Sequence, residues 1–219
     1  WLLNPRTELE ERSAPGETAS LRVAWRECGS TLRHVLMFTG LMCVVGFFHP
    51  GLGPLIAARE LGNAPMDLAA FTSVLALGSI AGGLLLQRNS HRFCQRPTLT
   101  LAGFALVTAV AQLGMAVGGD VPFLLAMTLL IGAGTAGLLS SSNLMTQVGS
   151  TQILRGRMAG LGQIAFLGGG GLSGLIAAQL TVSFGLQATF AISGTLGIVL
   201  ALLEIWRRGG SVLTEVRSV

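Results

Sequence analysis

Six long apolar stretches divided by short polar turns occupy most of the chain, at residues 36–58, 67–86, 98–117, 123–145, 158–180 and 186–206. Each is long enough to cross a hydrocarbon core of roughly 30 Å at 1.5 Å per residue, so each predicts a membrane-spanning helix. The turns at 59–65, 118–122 and 181–185 are short, which makes successive spans antiparallel neighbours. Ahead of the spans, residues 1–20 carry Pro5, Pro15, Gly16 and four glutamates without an apolar period, and read as a solvated linker. From Leu21 a stripe of Leu21, Trp25, Cys28 and Leu32 appears, with Arg22, Arg26 and Arg33 off it, the pattern of a short interfacial helix. The expected organisation is a cytoplasmic linker with that helix (1–33), a six-helix transmembrane unit (34–208) and a cytoplasmic tail (209–219). The fold class is all-α integral membrane.

Composition agrees with lipid as the solvent: 51% of residues are hydrophobic, 11% are charged and the mean hydropathy is +0.67, whereas soluble domains carry about twice that charge. Cys28, Cys43 and Cys94 are odd in number and far apart, which argues against a disulfide framework or a metal site. The chain opens on Trp1 with a charged stretch and no apolar leader, and is expected to be a fragment of something longer.

Arginine, the only basic residue type here, sets the orientation. Arg6, Arg12, Arg22, Arg26 and Arg33 precede the first span, and Arg88, Arg92 and Arg96 follow the second. Arg155 and Arg157 follow the fourth span, and Arg207, Arg208 and Arg217 end the sixth. Thirteen of the 14 therefore fall on one side, with Arg59 alone opposite. By the positive-inside rule that side is cytoplasmic, and so are both ends of the chain.

A faint internal repeat links Leu77–Gly82 in the second span with Gly170–Leu175 in the fifth, each with glycines four apart. Both spans are second in a group of three and they run in opposite directions, as in two inverted three-helix repeats. The same spacing also arises wherever membrane helices pack closely.

Two motifs carry a family resemblance. Gly83-Leu84-Leu85-Leu86-Gln87-Arg88-Asn89-Ser90-His91-Arg92 resembles the cytoplasmic G-x-L-x-D-R-x-G-R-R loop of the major facilitator superfamily, matching at Gly83, Leu85, Arg88 and Arg92. Gln87 stands for the family's acid and Ser90 for its second glycine. In physical terms the glycine lets the helix end approach a neighbour, while the arginines cap helix C-termini and hold a cytoplasmic gate shut. Plain positive-inside charge is the competing explanation. The second motif, Asn143 to Gln147 followed by Gln152 to Met158, a glycine-rich span and Leu203 to Arg208, is similar to the enterobactin-exporter branch of that superfamily. The likeness runs helix for helix over about residues 21 to 208. It implies the C-terminal half of a twelve-span carrier, a central cavity between two halves and ion-gradient-driven efflux of small molecules such as siderophores or drugs. The partners implied are the lipid bilayer, a small-molecule substrate and an N-terminal six-helix half, with no nucleic acid, metal or cofactor and no enzymatic activity.

Polar residues within the spans mark where that cavity is to be sought. Gly132, Ala136, Ser140, Asn143 and Gln147 form one stripe on the fourth span, and Gln163, Gly170 and Gly174 another on the fifth. An amide in hydrocarbon needs a partner, so these stripes face protein or water, either as contacts to substrate or as interhelical glue. Pro50 and Pro54 bracket Gly51 and Gly53 in the first span, where missing amide donors break or kink a helix. Beside them His49 is a titratable candidate and Phe47 and Phe48 are candidates for stacking, against a reading in which all three are core. No Asp, Glu, Lys or Arg lies in the middle of any span; Asp67 and Glu204 sit at ends. A proton-coupling carboxylate would then belong to the other half.

Two other classes compete. Gly171-Leu172-Ser173-Gly174 matches the G-x-S-G of rhomboid proteases, which also have six spans, but all three histidines precede Ser173 whereas rhomboids place theirs after the serine. A self-sufficient six-helix carrier or channel acting as a dimer is the other.

Overall fold

In hydrocarbon every backbone N–H and C=O must find its partner within the chain, so apolar stretches of this length are obliged to be helical. The computed structural model describes residues 25–26, 28–46, 48–60, 65–91, 96–150 and 155–216. They form α1 (Ser30–Gly46), α2 (Phe48–Glu60), α3 (Pro65–Arg88), α4 (Pro97–Val117), α5 (Val121–Gly149), α6 (Arg155–Phe184) and α7 (Leu186–Val216), with no strand among the described residues. α1 and α2 together make the first of six membrane-length spans, Ser30–Ala58, and α3 to α7 supply the others.

Proline and glycine punctuate the helices as their backbone chemistry requires. Pro97 and Pro122 stand in the first turns of α4 and α5, where a missing N–H leaves no bond unmade. Gly118 (φ 74°) turns the chain from α4 toward α5, and Gly185 (φ 89°) separates α6 from α7, both in the left-handed region that favours glycine. The connection expected at 181–185 contracts to Gly185, whose N–H still bonds the Thr181 carbonyl at 3.0 Å. At the other end of the chain the first helix starts earlier than expected, because the Gly29 carbonyl already accepts from Leu32 and Arg33. Leu32 therefore belongs to α1. Of the expected interfacial stripe, Trp25, Cys28 and Leu32 pack on Leu36, Met158 and Leu161, while Leu21 lies outside the described residues. So does the linker 1–20. α7 stays helical to Val216, through most of the segment expected as a tail.

Packing sorts the helix ends into two layers. Leu32 and Val35 of α1, Leu86 of α3, Thr100 of α4 and Met145 of α5 line one cavity of about 290 Å³, and Met158 of α6 packs on Leu32 and Leu36. These ends adjoin Arg33, Arg88, Arg96, Arg155, Arg157 and Arg207, so the expected arginine-rich side is one surface of the bundle. The opposite layer is an apolar cluster of Phe48, Leu52 and Ile56 with Phe71, Met115, Leu124, Ala177 and Phe190.

The tightest seam joins α3 to α5. A Cβ placed on Gly78, Gly82 or Gly132 would strike the carbonyl of Leu129, Ala133 or Leu75 respectively, so the two backbones touch directly. Elsewhere burial is uneven. Of the apolar stretch in span one 62% is buried, against only 17% in spans two and five.

Candidate functional site

Two of the expected polar residues are brought together. Asn143 of α5 and Gln163 of α6 line a cavity of about 70 Å³ with Thr39, Leu139, Ser142, Gly162 and Phe166, where α1, α5 and α6 meet. Gly162 stands against the amide: a Cβ there would lie in ordinary contact with the Asn143 Oδ1, at 3.7 Å. α1 and α6 cross closely just beyond, since a Cβ on Gly169 would lie 2.8 Å from Cys43 Cβ and 3.0 Å from the Gly40 carbonyl oxygen. Thr39 donates its hydroxyl to Ser142 across the junction at 3.0 Å. Thr39 and Ser142 escaped the sequence reading, though as hydroxyls within apolar spans they fall under the rule that selected Asn143.

The stripe on α5 turns out to serve two neighbours. Its Gly132 end is closed by α3, where Ser79 also reaches the Gly132 carbonyl at 3.4 Å. Its Asn143 end faces the α1–α6 junction. Ser140 is half-buried and Gln147 exposed, and neither lines that cavity. On α6, Gly170 and Gly174 face Gly51 of α2 in a shallow groove, away from the amides.

His49 is 2% exposed, next to Phe48 and Leu52 of the apolar layer. Phe47 lies outside the described residues, as does Arg92 of the loop motif. In that motif Gln87 and Arg88 are exposed, and a Cβ on Gly83 would meet nothing within 4 Å. The close approach in this chain falls one residue earlier, at Gly82. The carbonyl of Leu85 is bonded by Asn89, from both its backbone N–H (3.2 Å) and its side-chain amide (3.0 Å). Ser173 donates to the Gly170 carbonyl at 2.9 Å, as hydroxyls commonly do within helices.

Two polar groupings had no sequence forecast. Gln112, fully buried in α4, donates to the Gly46 carbonyl, and Ser193 of α7 lies within donating distance of both the Val45 carbonyl and Gln112 Oε1 (2.6 Å). Gly46 stands four residues before Pro50, which has no N–H to give it, so side chains supply the bond instead, Gln112 from another span and His49 from α2. At the arginine-rich end, His34 Nε2 and Glu204 Oε2 are 2.7 Å apart, joining the first span to the last. A glutamine within the third span and an acid facing a histidine at matching depth were the available signals. Pairing them needs the knowledge that spans one, three and six are neighbours.

No individual curated protein matches the chain. The family model of the Major Facilitator Superfamily, however, matches residues 11–214, nearly the whole length. With six membrane-length helices, no strand among the described residues and uncharged polar side chains gathered between spans, this chain belongs to the Major Facilitator Superfamily of membrane transporters.

Proposed function

We propose that the chain is the C-terminal half of a twelve-helix secondary transporter that exports small molecules, siderophores or drugs among them, across the cytoplasmic (inner) membrane. An ion gradient drives it through alternating access. The observation that carries this reading is the unfilled flank of α6. Gln163 is exposed on a span of which only 17% of the apolar stretch is buried, and Gly160 and Gly171 on the same flank have open space where a Cβ would stand. An amide facing lipid loses hydrogen bonds that hydrocarbon cannot replace, so this flank calls for water or further helices. A cavity closed by an N-terminal six-helix half meets both demands.

Asn143 lies six residues from Gly149 and Gln163 eight from Arg155, about 9 and 12 Å from the arginine-rich surface at 1.5 Å per residue. Export loads substrate from the cytoplasm, and these amides form the wall it first meets. Asn143→Leu and Gln163→Leu in the full-length protein are expected to change the range or apparent affinity of exported compounds at least several-fold. Transport into everted vesicles, with thermal stability measured on the same purified variants, checks this. A drop of about 1 kcal/mol in stability with an unaltered substrate range would make both residues interhelical glue and remove them from the site.

Orientation follows from the arginines: the loops holding Arg88 and Arg155 and both ends of the chain face the cytoplasm. A Ser90→Cys protein without other cysteines is therefore expected to react with an impermeant thiol reagent only after the membrane is opened. Labelling of intact cells from outside would refute the orientation.

A further inference from the structure

On the side of α6 away from Asn143, an open groove of about 1130 Å³ runs between α1, α6 and α7. Its walls are Met37, Leu41 and Val44 of α1, Ile164 of α6, and Leu200 and Leu203 of α7. Met37 is 64% exposed and Ile164 57%, so this apolar trough faces outward. It ends at the arginine-rich surface among Trp25, Trp206 and Arg207.

We propose that this groove binds an anionic phospholipid of the leaflet on the arginine-rich side. Three observations choose that occupant. The first is depth: from His34 to Val44 is ten residues of α1, about 15 Å, which is half of a roughly 30 Å hydrocarbon core and so one leaflet. Next is the mouth, where two tryptophans stand at the level of lipid headgroups, as amphipathic rings prefer. The third is charge. Arg207 borders the groove, and Arg33 lies one turn before Met37 on the same face of α1. The Arg33 Nε is buried and meets no hydrogen-bond acceptor among the described residues. Half-buried beside His34 of the groove's wall, Arg33 adds its positive charge to that of Arg207 at the mouth, which favours an anionic headgroup. The groove's carboxylate, on Glu204, is 5% exposed and turned onto His34, which keeps it from opposing a headgroup.

The site stands apart from the amides proposed to meet substrate, so its test does not depend on transport. Native mass spectrometry of the purified full-length protein, titrated with phosphatidylglycerol and phosphatidylcholine of identical acyl chains, is expected to show roughly tenfold preferential retention of phosphatidylglycerol. Arg33→Gln with Arg207→Gln should bring the two lipids to parity, and Leu41→Trp, which fills the trough, should lower retention of both. Millimolar inorganic phosphate should not displace the lipid. Equal retention of the two lipids by the unaltered protein overturns the proposal without recourse to any variant. So does displacement by phosphate alone, or a preference unchanged in the arginine double variant.

Discussion

Gly132→Leu is expected to destabilise the protein by about 3 kcal/mol or more, the upper range for overpacking, and to deplete the folded protein recovered from membranes. The side chain would enter at a point where the Leu75 carbonyl of α3 already stands, with the Ser79 nitrogen 3.1 Å from its Cβ. Both obstacles are backbone and cannot turn aside as a side-chain tip would. The seam is reciprocal, since Gly82 brings its own α-carbon against α5, where a Cβ would lie 2.8 Å from Ala133 Cα. Relief at one glycine therefore requires the helices to part along the whole contact. Gly83→Leu is the matched control: the same substitution on the partner helix α3, next to Gly82 but with nothing within 4 Å, should alter stability by less than about 0.5 kcal/mol. Thermal unfolding of the purified proteins followed by size-exclusion recovery compares them. Equal losses from the two variants would contradict the direct backbone contact between α3 and α5.

The second large effect is expected at Gln112. Gln112→Leu removes the donor that meets the Gly46 carbonyl and the acceptor that faces Ser193. Pro50 leaves that carbonyl without its usual helical donor, and the His49 side chain, which also bonds Gly46, offsets only part of the loss. A cost of about 1 kcal/mol follows, the scale of single polar contacts within membranes. Ser193→Ala should cost less, because the glutamine retains its bond to Gly46. The double variant should fall short of the sum by about 0.5 kcal/mol or more, the mark of residues sharing one network. Additive effects in such a cycle would mean that the two side chains do not act together.

Much of the architecture was legible in the amino-acid sequence because lipid imposes a one-dimensional rule. A stretch such as 98–117 has to cross the membrane as a helix, and the helix found is Pro97–Val117. Boundaries shifted where the rule says least. Ser30 and Thr31 fall within the segment expected as linker and interfacial helix, yet the Gly29 carbonyl accepts from Leu32 and Arg33 and the membrane helix begins with them. Likewise Thr181, Ser183 and Phe184 complete α6, because only Gly185 adopts the φ the turn needs.

The candidate site was legible by residue type and not by neighbourhood. Asn143 and Gln163 were marked because amides need partners in hydrocarbon, and both line one cavity. His49 stands out in the sequence as a titratable group beside the proline break, with a core histidine as the competing reading, and it is buried next to the apolar layer of the opposite end. Periodicity along a single helix names a face without naming what covers it. The one stripe from Gly132 to Gln147 is thus closed by α3 at one end and met by α1 and α6 at the other.

What the sequence determined by itself was membrane residence, six spans, the break near Pro50 and the gathering of arginine on one side. Each of these depends on the local content of the chain and on the solvent around it. Tertiary structure alone decided that Gln112 and Ser193 satisfy the carbonyls at that break, that His34 meets Glu204 across 170 positions of sequence, and that Gly82 rather than Gly83 touches its neighbour. These depend on which helix lies beside which and at what rotation. Lipid is equally apolar against every helix face, so hydrophobic pattern cannot set that rotation; close backbone contact and hydrogen bonding between spans do.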